Sequence, residues 1–194
     1  MSLHKQKVEM KKQEIIRSAA KTLQEKGFYG TTMEEIAAQL LMTKGSLYHY
    51  FKNKEDLLYQ CHKIILDISI DKIEAIIDTN QSNTNKIEEI IRFHINLALE
   101  ENALFSLIDN PEHTFSEENF LKISKRRSYY AKCIDKVLEQ GLEDGEFRNI
   151  DIKMTRFIIL GALNWIQQWY NPDGERNPTE IADYFVDKLL QTLR

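Results

Sequence analysis

The stretch Thr31 to Lys54, TTMEEIAAQLLMTKGSLYHYFKNK, constrains this chain more than any other part of it. Thr32 and Glu35 stand at the T-x-x-E spacing of a capping box, so a helix begins near Met33 with Ile36, Ala37 and Leu40 facing inward. Thr43 is a good N-cap for a second short helix, whose Leu47, Tyr50 and Phe51 turn back to the core. Asn53 then announces a third, longer helix with Glu55 and Asp56 in its first turn, where acidic side chains favour the helix dipole. The second short helix carries Lys44, Ser46, Tyr48 and His49 within two turns. Small, basic and aromatic-polar side chains crowded on one short helix suit a nucleic-acid groove better than a protein core.

The rest of the chain also reads as helix. Its seven glycines and three prolines sit mainly at joints between apolar-periodic segments. A first helix is expected from Val8 to Lys26, with Ile15, Ile16, Ala19, Ala20 and Leu23 on one stripe and Gly27 as its stop. The fourth helix continues to about Asp78, and the polar run Thr79 to Asn85 reads as a loop. Further helices are expected over 87–101 and 116–142, with a less regular segment between them around Pro111. Residues 152–170 are apolar on nearly every face, and such a helix has to be covered on all sides. Asn177, Pro178 and Glu180 supply an N-cap, a proline at the first helical position and an acid at the third, opening a final amphipathic helix. A single chain of 194 residues would struggle to cover both C-terminal helices, whereas a four-helix bundle with a second copy would cover them.

Charge divides the chain. Residues 1–54 hold ten Lys/Arg against five Asp/Glu, and residues 55–194 hold sixteen against twenty-five, within a net charge of −4. A basic head on an acidic body is the balance of a polyanion-binding module on a scaffold that does not itself bind polyanions. No run approaches a membrane span, and the polar N-terminus lacks the apolar core of a secretory signal. Cys61 and Cys133 fall inside helical patterns far apart, which reads as two small buried residues in a reducing, cytoplasmic protein.

If the two short helices form a helix-turn-helix, the second lies in the major groove with Lys44, Gly45 and Ser46 at base edges. Gly45 would let the backbone approach closely, and Lys44 reaches a guanine or a phosphate. Tyr48 and His49 would donate to phosphates, with Lys54 at the next helix start and Thr31, Thr32 and Thr43 adding hydroxyls. The run I-x-x-A-A-x-x-L-x-x-x-G-F-x-x-T-T, then I-A-A-x-L, then T-K-G-S-L-Y-H-Y-F-K-N-K-E-D-L-L resembles the DNA-binding domain of the TetR family of bacterial regulators over residues 15–58. The resemblance implies an all-α fold of about nine helices. It places a three-helix DNA-binding domain over 1–53 and a ligand-binding and dimerisation domain over 54–194, with the last two helices pairing between copies. The chain departs from the family at the turn, where Leu41-Met42 stands in place of the usual glycine. A non-glycine residue held there at positive φ costs on the order of 1 kcal/mol.

The stretches Gly161-Ala162-Leu163-Asn164-Trp165 and Trp169-Tyr170-Asn171-Pro172-Asp173-Gly174 are similar to a narrower branch, repressors of lipid or steroid degradation that respond to CoA thioesters. That likeness implies an apolar or acyl-CoA-type effector, with Arg92, His94, Arg126, Tyr130, Asn164, Trp165, Gln168 and Trp169 as candidate ligand contacts. Asn164 and Gln168 lie one turn apart on an otherwise apolar helix, and a buried amide needs a partner. No catalytic motif, phosphate-binding loop or dinucleotide fingerprint is present, no cofactor is implied, and His62, His94 and His113 lack metal-ligand spacing. The expectation is a homodimeric, non-enzymatic, ligand-released repressor of a palindromic site on double-stranded DNA. An effector-independent DNA-binding architectural protein on the same fold, or an all-helical enzyme or interaction module, are the rival readings.

Overall fold

Nine α-helices and no strand form among the residues that the computed structural model describes, 3–107 and 114–193. They are α1 (Leu3–Lys26), α2 (Met33–Gln39), α3 (Lys44–Tyr50), α4 (Lys54–Ile77), α5 (Asn83–Glu100), α6 (Asn102–Ser106), α7 (Glu117–Glu143), α8 (Ile152–Trp169) and α9 (Pro178–Gln191). The irregular segment expected around Pro111, and His113, lie outside the described residues. The chain forms two compact units, Met1–Ile65 with Ala103–Ser124, and Leu66–Asn102 with Lys125–Arg194. The first unit therefore continues past the 53/54 boundary expected from sequence, through the first half of α4. It also takes in α6 and the start of α7.

In the first unit, Ile15, Ala19 and Leu23 of α1, Ile36 of α2 and Leu47 of α3 are fully buried, joined by Phe51 and Leu57. Cys61 is buried with them and its thiol approaches the Ile16 carbonyl (3.8 Å); burial pushes its pKa up to about 12, so it packs as a small apolar residue. Helix α1 starts five residues before Val8, and its first two turns are exposed. No apolar stripe marks those turns, and strong helix formers such as Lys, Gln and Glu carry them.

The two short helices are capped as their sequence demands. The Thr32 hydroxyl accepts from Glu35 N–H at 3.2 Å, while Glu35 accepts from Thr32 N–H at 2.9 Å. Thr43 accepts from Ser46 N–H at 3.1 Å. Between them the chain reverses at Leu41, which has φ +54° and is the only described non-glycine residue at positive φ. Its N–H donates to Ala38 O at 3.1 Å and that of Met42 to Ala37 O at 2.8 Å. This is a Schellman closure, in which a left-handed residue just past the helix lets two orphan carbonyls find donors. Glycine adopts that conformation freely, whereas a leucine costs roughly 1–2 kcal/mol there.

In the second unit α5 packs against both α8 and α9. It begins at Asn83, inside the run read as loop, with Ser82 as a local N-cap whose hydroxyl accepts from Asn85 N–H at 3.2 Å, and a tertiary cap secures that start. Glu146, in the connection after α7, accepts from the N–H groups of Asn83 and Thr84, both at 2.8 Å, and from the Thr84 hydroxyl at 2.8 Å. Asp144 accepts from the Asn83 amide at 2.8 Å. Gly141 is required here by space: the ring of Phe147 lies 2.1 Å from where a β-carbon would stand.

Helix α8, capped by Asp151, buries Thr155, Ile159, Leu163 and Ile166 at three- and four-residue spacing. The opposite face is bare: Met154, Phe157, Ile158, Trp165 and Trp169 are each about half exposed or more. The all-round apolar character read from sequence is thus satisfied on one side only within a single chain.

Candidate nucleic-acid interface and effector-facing network

Helix α3 is anchored through Leu47 and, just past its end, Phe51, and it exposes Lys44, Gly45, Ser46, Tyr48 and His49 to solvent. Thr43 does two jobs, capping α3 and sharing a hydrogen bond with the Ser46 hydroxyl at 2.9 Å. Nothing lies near a β-carbon added at Gly45 except the Thr43 hydroxyl at 4.0 Å. The fold itself therefore does not require glycine there. The Lys44 ammonium is paired with Glu34 of α2 and lies over the Tyr48 ring, 5.7 Å from its centre. That pairing holds the Glu34 carboxyl below the usual carboxylate range, chiefly through the Lys44 hydrogen bond.

Two residues expected at this face serve the fold instead. Thr31 is buried and its hydroxyl donates to the Gly27 carbonyl at 2.7 Å. Lys54 donates to the carbonyls of Phe28 and Thr31, both at 2.5 Å, with its ammonium 4.3 Å above the centre of the Phe28 ring. The helical hydrogen-bond pattern has ended in the α1–α2 turn, and a long cation from the start of α4 supplies a donor to two of its carbonyls. Thr32 is exposed but occupied as an N-cap. The exposed group is therefore Lys44, Gly45, Ser46, Tyr48 and His49, flanked by Thr32 and Thr43.

The effector candidates separate as well. His94, Tyr130 and Asn164 come together from α5, α7 and α8: His94 Nδ1 lies 3.2 Å from the Tyr130 hydroxyl and Nε2 lies 3.1 Å from Asn164 Oδ1. The amide oxygen only accepts, so Nε2 carries the proton, and Nδ1 accepts from Tyr130. Burial lowers the His94 pKa to about 4 against the opposing pull of the Asn164 bond, so the ring is neutral near pH 7. Asn164 itself is exposed, and its NH2 group remains as a donor at the end of this chain of hydrogen bonds.

The other candidates lie apart from that network. Arg92 bridges Glu88 at 2.9 Å and Asp183 of α9 at 2.5 Å, tying α5 to α9. Arg126 is paired with Asp67 of α4. Neither guanidinium stands as an uncommitted phosphate ligand. Trp165 and Gln168 are exposed on the bare face of α8, as is Trp169, which stacks on Phe185 with ring centres 6.2 Å apart. Trp169 also helps line a cleft of about 440 Å³ with Tyr170, Asn171 and Gly174 of the stretch marked in sequence, joined by Arg176, Tyr184 and Phe185, which were not marked. The signal for the added residues is the pair of aromatic side chains, Tyr184 and Phe185, beyond the Asn171–Asn177 connection. Among the described residues there is no group of three or more potential metal ligands, and no helix is long and apolar enough to cross a membrane.

The chain is similar to known proteins in sequence and in structure. Residues 15–61 match the family model for bacterial regulatory proteins of the tetR family, and residues 80–193 match that of the tetracyclin repressor-like C-terminal domain. The HTH-type transcriptional repressor KstR2 of Rhodococcus jostii (strain RHA1) is 26% identical over 183 residues, covering 93% of this chain and 89% of that protein. The fatty acid metabolism regulator protein of Bacillus subtilis (strain 168) is 27% identical over 179 residues, covering 91% and 92%. The crystal structure of AibR in complex with isovaleryl coenzyme A and operator DNA matches with a TM-score of 0.84 at 27% identity, covering 94% of this chain and 99% of that one.

Proposed function

Since the chain belongs to the TetR family of bacterial regulators, we propose that it is a transcriptional repressor that binds a palindromic DNA site as a homodimer and leaves it when an apolar or acyl-CoA-type effector binds. The observation that carries the reading is the solvent-facing set Lys44, Gly45, Ser46, Tyr48 and His49 on a short helix pinned by Leu47 and Phe51. Residues 1–53 read DNA, and residues 54–194 bind effector and pair through α8 and α9. The protein works in the cytoplasm beside its DNA and is not an enzyme. The bare apolar face of α8 supports the pairing, since a patch of this kind marks an association surface.

The effector class rests on the relatives. KstR2 is a repressor, the Bacillus protein is a regulator of fatty acid metabolism, and AibR was crystallised with an acyl-CoA and its operator. Within this chain the His94–Tyr130–Asn164 network supports it, because the Asn164 NH2 suits an acceptor such as a thioester carbonyl. Coupling of roughly 1–3 kcal/mol between the two sites suffices for a 5- to 150-fold loss of DNA affinity. The test is a gel-shift titration on duplexes from the gene's own promoter region, with and without a series of acyl-CoA thioesters. Retarded DNA released by one chain length supports the whole reading. Retardation that no thioester reverses leaves a DNA-binding protein without this effector, and absence of retardation on every duplex removes the repressor.

A further inference from the structure

We propose that Leu41 is a specificity residue of the DNA-reading head, meeting the 5-methyl group of a thymine in the major groove. Two independent observations point there. Leu41 is held at φ +54°, a conformation natural to glycine and unfavourable for a branched side chain. It is also 97% exposed, so in the free chain its isobutyl group gains almost nothing from burial. An unfavourable backbone state combined with an unsupported apolar side chain is a deficit that some other state of the molecule has to offset. The neighbouring residues identify that state. Leu41 stands three residues before Lys44, within about 11 Å along an extended chain, and the first residues of a recognition helix are those that meet base edges.

The chemistry is specific. Major-groove edges offer hydrogen-bonding atoms at every base pair, but thymine alone among the four bases adds a methyl group, and apolar side chains read it. Leucine has no donor or acceptor, so it contributes only where that methyl lies. Nothing else in the turn supplies such a contact, since Met42 is half-buried and Thr43 is occupied as a cap. The proposal rests on the reading of α3 as the recognition helix, and it adds a contact outside that helix.

The experiment uses the full-length protein and a palindromic duplex selected by it from a random pool. Each thymine of a half-site is replaced in turn by deoxyuridine, together with its symmetry mate in the other half-site, which removes one methyl from each half-site and leaves every hydrogen-bonding group. Wild-type protein is expected to lose about fifteenfold in affinity at one position, about fourfold for the buried methyl group of each half-site. Leu41→Gly and Leu41→Asn, which lose the contact in both protomers, are expected to bind the thymine duplex about fifteenfold more weakly and to be indifferent to that replacement. Both substitutions suit the left-handed turn, so their melting temperatures are expected to match or exceed the wild type. If no replacement affects the wild type, or if the Leu41 variants lose as much as it does, the contact does not exist. Lys44→Ala serves as the control: if it weakens binding while the Leu41 variants do not, the recognition helix stands and only the Leu41 proposal falls.

Discussion

Gly45 and Lys54 show how a residue's role is decided by what surrounds it. Nothing crowds a β-carbon at Gly45, so Gly45→Ala is expected to fold normally and to gain up to about 1 kcal/mol of helix propensity. Its DNA affinity is nevertheless expected to fall by tenfold or more in a binding titration, because the methyl group would stand where backbone and DNA approach. Unchanged affinity would remove Gly45 from the interface. Lys54→Ala has the opposite expectation. Two carbonyls lose a charged donor, so the head is expected to lose about 1.5–3 kcal/mol, read as a lower urea midpoint. Stability equal to the wild type would return Lys54 to the phosphate contacts that its sequence position promised. The sequence made the exposed residues of α3 legible because caps and periodicity are local. It misjudged Thr31 and Lys54 because a hydroxyl looks the same in sequence whether it faces solvent or a carbonyl four residues back, and a cation whether it faces solvent or carbonyls 23 and 26 residues away.

Helix starts divide along the same line. Those of α2, α3 and α9 were legible because Thr32, Thr43 and Asn177 each cap them locally, and that of α8, which Asp151 caps, was legible from its apolar run alone. The start of α5 was missed although Ser82 caps it locally, because the run Thr79 to Asn85 is polar throughout and the Glu146 that secures its first N–H groups is more than sixty residues distant. The His94 network joins three helices and was visible only as three separate candidates. It makes a pH prediction. The folded-state pKa of about 4 lies below the ordinary histidine value of 6.5, so between those values the unfolded chain binds more protons. Stability is complete above pH 6.5 and declines as pH falls toward 4, by roughly 3 kcal/mol across the window. Urea midpoints of the wild type and His94→Asn, measured from pH 7 to 4, are expected to converge on acidification. A constant gap would mean that the ring titrates normally.

At the scale of the molecule the bare face of α8 sets the requirement for a partner. Trp165→Glu places a charge on a side chain that is 64% exposed in the single chain, so helicity is expected to survive. Sedimentation velocity is expected to shift from dimer to monomer, and affinity for a palindrome to fall at least tenfold, because two heads then bind as separate molecules. A dimer that persists would move the association surface away from α8. The helical class and the division of charge were legible in composition and period. Which side of α8 would be left bare was not, since that depends on where α5 lies.

The same face also determines what can be seen of the protein in solution. The chain has two tryptophans, and both lie on it. Indole emission shifts to shorter wavelength when water is removed from around the ring, so the colour of the protein's own fluorescence reports the fraction of chains that are paired. Dilution through the association range would be followed without any label, and a repressor whose occupancy depends on its concentration carries the gauge for that concentration in its own sequence.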